Sequence, residues 1–214
     1  MKKLITVIII FFSLVNLCAQ RRSTDSLKLL LSKEKTDTGR VNLLGTIGAR
    51  FGFGMKKNDS SLWYLQRALD LSKKINYTKG EFLAEQHIAY YLFQTGNYSE
   101  ALKLSLQNVK KAQLLNDKGY LFDQTRLVIW IYNSIGNYKM ALQYGMKLKS
   151  LASSLNYNDP LNIPYNAIAN NNLAKVFEGL NQLDSALHYY YLINSTPPDK
   201  KRLSNAGICK EGPW

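Results

Sequence analysis

From about Ser26 onward, apolar residues recur at intervals of three and four, as at Leu62, Leu65, Leu69 and Leu71, or at Leu102, Leu104, Leu106 and Val109. This spacing collects them on one face of a helix with 3.6 residues per turn. A half-buried strand would alternate at every second residue, and no stretch of the chain does so convincingly. Proline is absent between Met1 and Asn158. Turn-forming residues instead cluster at Asn58-Asp59-Ser60, Thr95-Gly96-Asn97, Asn116-Asp117-Lys118-Gly119 and Ile135-Gly136-Asn137. The pattern predicts helices punctuated by short turns, in the clearest case roughly Gly80 to Gln94 followed by Ser99 to Leu115.

The turns repeat. Gly96-Asn97-Tyr98-x-x-Ala101-Leu102 returns 40 residues later as Gly136-Asn137-Tyr138-x-x-Ala141-Leu142. Aligning the small-Leu pairs gives Ser61-Leu62, Ala101-Leu102, Ala141-Leu142 and Ala186-Leu187, spaced by 40, 40 and 45 residues. A second turn phrase alternates with the first: Asn76-Tyr77-Thr78-Lys79-Gly80 matches Asn116-Asp117-Lys118-Gly119 and, more loosely, Asn156-Tyr157-Asn158-Asp159. Each period therefore holds two helices and two turns, which predicts four helical hairpins. The extra residues of the last interval fall at Asn158 to Pro164, where two prolines suit a loop insertion.

On these residues the chain resembles the tetratricopeptide repeat (TPR) family over about Thr36 to Ser195. Ala49, Ala89 and Ala174 match the small residue that packs a hairpin's first helix on its second, with Ile129 departing. Tyr98 and Tyr138 match the aromatic after the turn, with Asn58 and Leu183 departing. Ala101, Ala141 and Ala186 match the alanine at which neighbouring hairpins cross, and Ser61 is a tolerable substitute. The resemblance implies an all-α fold, an α-solenoid of about four TPR-like hairpins. The period near 40 exceeds the family's usual 34, and this longer form is similar to the sensory arrays that precede bacterial envelope signalling domains, sensor histidine kinases in particular.

The ends read differently. Lys2 and Lys3, the apolar run Leu4 to Val15 and the small-residue exit at Ala19 form the pattern of a cleaved secretory signal peptide over residues 1–19. A membrane span would need roughly 20 apolar residues, and Ser13 and Asn16 interrupt this run too early. Residues 20–35 are expected to contain an amphipathic capping helix carrying Leu27, Leu30 and Leu31, and residues 36–195 the repeats. Residues 196–214 would be a tail or a truncated fifth repeat. Export near Ala19 would leave Cys209 as the single cysteine, so no intramolecular disulfide is expected.

With 214 residues, 46% of them hydrophobic and 12% aromatic, the chain is large enough to bury a sizeable core. The formal charge of +13 favours acidic contacts, an acidic protein or peptide segment or an anionic membrane surface. The lysines come as pairs on helical faces (Lys56-Lys57, Lys73-Lys74, Lys110-Lys111) and no long basic run marks a nucleic-acid groove, so nucleic acid is not an expected partner.

Reactive groups are sparse. His87 and His188 lie on different expected hairpins without zinc-ligand spacing, Cys209 has no companion, and no phosphate-loop, nucleophile-elbow or kinase signature is present. No catalytic residue, metal or cofactor is expected. Gly45 and Gly48 fall inside a helical pattern and are expected to let the first hairpin pack closely, leaving it the softest, since each costs about 1 kcal/mol in helix propensity.

The resemblance places the binding surface on the first helix of each hairpin. The position after the small-residue site gives Arg50, Tyr90, Trp130 and Lys175, and a turn to either side lie Gln86, Gln94, Arg126, Asn133 and Asn171, with Phe93 beside them. Cations, amides and aromatics along one strip suit recognition of a peptide. The aromatic spacing suits packing equally well. The functional expectation is a non-catalytic protein- or peptide-binding scaffold in the periplasm or cell envelope. The alternative is the truncated sensory input region of a signalling regulator.

Overall fold

The computed structural model describes residues 24–53, 58–155 and 165–195. Among them are nine helices and no strand. Helix α1 covers 24–33. It is followed by α2 (Asp37–Phe53), α3 (Asn58–Lys74), α4 (Thr78–Gln94), α5 (Tyr98–Leu114), α6 (Lys118–Ser134), α7 (Tyr138–Ser154), α8 (Tyr165–Gly179) and α9 (Leu183–Ser195). The four expected hairpins are α2–α3, α4–α5, α6–α7 and α8–α9. Their second helices begin 40, 40 and 45 residues apart. This is an all-α array of repeated hairpins, the α-solenoid class. The expected signal segment, the insertion at Asn158 to Pro164 and the tail with Cys209 lie outside the described residues.

The repeated turn phrases are helix stops joined directly to helix starts. Gly96 and Gly136 inside hairpins, Asn181 inside the last one, and Asn76 and Asn116 between hairpins all have positive φ, from 51° to 81°. After each of them the next N–H turns back on the ending helix, as Asn97 to the Leu92 carbonyl and Asn137 to that of Tyr132, both at 2.9 Å. This is the Schellman closure, which needs a left-handed residue and satisfies carbonyls that a helix end otherwise leaves open. At two of these joints the next residue's side chain then caps the following helix, whereas Tyr77, at the start of α4, makes no such bond. Asn137 accepts from the Met140 N–H at 3.2 Å and Asp117 from the Tyr120 N–H at 3.0 Å. Gly-Asn-Tyr thus reads as left-handed stop, cap and first helical residue.

Two compact units divide the chain, residues 1–108 and 109–214, with the boundary inside α5. In the first, α2 and α4 both pack on α3 and on each other. Leu44, Leu65, Ala68, Leu69, Ala84 and Ile88 form a buried cluster. Gly48 makes the α2–α3 approach possible, because a Cβ there would lie 2.7 Å from the Leu65 side chain. Across the same approach Ser61 donates its hydroxyl to the Gly48 carbonyl at 2.8 Å. Serine at this position therefore adds a bond that alanine would lack.

Two expectations are corrected in this unit. Gly45 has nothing within 4 Å of an added Cβ, so it does not serve close packing. In α1, Leu31 packs against the cluster, but Leu30 is 54% exposed and does not belong to the covered face.

In the second unit α6 packs on α7, α7 on α8, α8 on α9, and α6 on α8. Phe122, Val128, Ile129, Ile131, Leu148, Leu173 and Val176 are fully buried. Gly145 receives the Leu173 side chain and Gly179 receives the Tyr138 ring, each where a Cβ would collide. Ala101, Ala141, Ala186 and Ser61 are all at most 3% exposed. Leu183, by contrast, stands where two other hairpins carry tyrosine, and it is exposed on α9 with Leu187 and Tyr191.

Candidate functional site

The helical period sets Arg126, Trp130 and Asn133 on one face of α6. The Arg126 guanidinium lies over the Trp130 ring at 5.1 Å and approaches Asp123 at 3.4 Å. Trp130 is half-buried, and its indole N–H donates to Asn172 Oδ1 on α8 at 2.8 Å. Asn172 in turn donates to the Ile168 carbonyl, also at 2.8 Å. Trp130 therefore joins α6 to α8 as well as supporting Arg126 from below. Arg126 Nε and Asn133 Oδ1 are shielded from solvent and have no hydrogen-bond partner. A donor and an acceptor left in this state normally call for a partner. On α8, Asn171 is half-buried and Lys175 exposed.

The neighbouring polar residues were not legible as a site. Asn170 and Gln124 are buried, and Lys149 donates to Asn170 Oδ1 at 2.7 Å. Burial lowers the Lys149 pKa. The run Asn170-Asn171-Asn172 inside a helix was the available signal, since asparagine is a poor helix former that is kept where its amide is used.

In the first unit, Gln86, Tyr90 and Gln94 share one face of α4 by spacing. Gln94 Nε2 donates to the Tyr90 hydroxyl at 2.9 Å, and the Tyr90 and Phe93 rings are tilted with centroids 6.1 Å apart. Gln86 Oε1 is buried without a partner. Arg50 is exposed near the end of α2. The residues expected on one strip thus fall into two sets, one in each unit, on the first helices of the hairpins.

A cleft of about 450 Å³ opens between α2 and α4, a feature the sequence reading did not foresee. Val41, Ala68 and Ala84 form deeply buried wall, while Asn42 and Lys79 are exposed. His87 also lines it, and burial lowers its pKa, which favours the neutral imidazole. Gly45 and Ala49 on α2 and Ala84 on α4 put little side chain into the space. Among the described residues, no group of three or more His, Cys, Asp or Glu side chains is arranged to hold a metal ion.

No family model and no curated protein matches the sequence. Among solved structures, the crystal structure of BtubC (BKLC) from P. vanneervenii is similar, with a TM-score of 0.64 at 13% identity, covering 91% of this chain and 82% of that one. The likeness is one of fold. The protein has a helical-repeat fold. In such folds the repeated residues hold hairpins together and the positions on the hairpin faces are free to vary. No described helix is long and apolar enough to cross a membrane.

Proposed function

We propose that the protein is a non-catalytic scaffold of the TPR kind that binds a protein or peptide segment, acidic in character, in the bacterial envelope. The observation that carries this reading is the α6 face, where Arg126 Nε and Asn133 Oδ1 lack partners beside the stacked Trp130. A peptide backbone offers both a carbonyl for the first and an N–H for the second, and an acidic side chain complements the guanidinium. The excess of basic residues favours the same class of partner. The terminal Lys2-Lys3 and Leu4 to Val15 pattern supports export.

The test uses Arg126→Glu with Asn133→Ala, which leaves the Trp130–Asn172 bond in place. Partners captured from envelope extract by the parent, identified by mass spectrometry and then titrated as purified proteins, should bind the double variant at least about tenfold more weakly, as expected when buried interface hydrogen bonds are lost. A folded variant that keeps every partner at unchanged affinity sinks the proposal. The 40-residue period between successive second helices favours a second reading, that the array is the sensory input part of a signalling regulator. Coding sequence that continues downstream into further repeats and an apolar span would support it, and an immediate intergenic gap would count against it.

A further inference from the structure

We infer that the cleft between α2 and α4 is a binding site for a small amphipathic anion, a carboxylate head on an apolar chain. Gly45 is the first observation. Gly48, Gly52, Gly80, Gly145 and Gly179 each stand where a Cβ would come within 3.0 Å of a neighbouring side chain, so packing accounts for them. Gly45 meets nothing within 4 Å. It sits in the interior of α2, where glycine costs about 1 kcal/mol relative to alanine, and it returns no packing in exchange. Its effect is to leave the cleft open.

The distribution of chemistry along the cleft is the second observation. The deep walls are aliphatic, from Val41, Ala68, Ala84 and Leu83, with the first three at most 2% exposed. The exposed lining residues Asn42 and Lys79 can donate hydrogen bonds, Lys79 with a full positive charge. No carboxylate lines the cleft. An apolar body would enter the walls and an anionic head would remain at the mouth against Lys79, the division of labour found in small-molecule pockets of about 300–1,000 Å³. The volume of about 450 Å³ falls in that range. The site lies wholly within the first unit and does not depend on the α6 face.

Octanoate titrated into the full chain by isothermal calorimetry is the test, with octanamide as the uncharged match. Octanoate should saturate at one per chain, and octanamide should bind at least tenfold more weakly. Gly45→Leu should abolish octanoate binding while melting no lower than the parent. Lys79→Glu, at an exposed position, should weaken octanoate at least tenfold, and it carries the test if Gly45→Leu fails to fold. The inference is overturned if the parent shows no saturable octanoate binding, if octanamide binds equally, or if a folded Gly45→Leu variant binds undiminished.

Discussion

Single residues in this chain act mainly through what they leave out or leave unpaired. Gly48 and Gly145 omit a side chain so that Leu65 and Leu173 can pack. Gly45 omits one where nothing takes its place. His87 illustrates the electrostatic side. Burial lowers its pKa, so the folded state binds fewer protons than the unfolded state once pH falls toward the ordinary histidine value of about 6.5. The associated stability is fully present above that pH and is lost as pH falls through the lowered folded value. Urea midpoints measured from pH 7.5 down to pH 5 should therefore decline in the parent and decline less steeply in His87→Gln. Equal slopes would show that another group governs the acid limb. The sequence marked His87 only as a lone imidazole, because its burial depends on α2 lying across from α4.

At the scale of elements, the recurrent joint is a left-handed residue at the helix stop, followed at Asp117 and Asn137 by a side-chain cap. Gly96 and Gly136 have open space around an added Cβ, so substitution there is opposed by backbone conformation alone. Gly136→Ala should cost about 1 kcal/mol, and Gly136→Asn less, because asparagine tolerates the left-handed region. Chemical denaturation of both variants checks the order, and an alanine variant as stable as the parent would refute the account. The native Asn76, Asn116 and Asn181 already occupy this conformation. These joints were legible in the sequence because their chemistry is local. The Ser61–Gly48 bond, which crosses from α3 to α2, was not.

For the whole molecule, stability in a helical-repeat fold is distributed over neighbouring contacts, so hairpins of unequal quality should open separately. Helix α2 carries Gly39, Gly45, Gly48 and Gly52. Helix α6 contributes Phe122, Leu127, Val128, Ile129, Ile131 and Tyr132 to buried surface. Amide hydrogen exchange should accordingly be faster in α2 and α3 than in α6 and α7 under native conditions. Protection of the first hairpin equal to the third would contradict this ranking.

The sequence by itself determined the helices, their joints and their repetition, because each rests on residues within a turn or two of one another: apolar spacing, glycine or asparagine at the stop and, at two joints, aspartate or asparagine at the cap. It also placed the candidate face on first helices, through a family resemblance. Only the tertiary structure decided which of those residues are occupied by packing. Trp130 is tied to Asn172, 42 positions away, while Arg126 and Asn133 keep atoms without partners. The cleft has the same origin. Gly45 and His87 are far apart in sequence, and α2 and α4 become two walls of one space because both pack on α3.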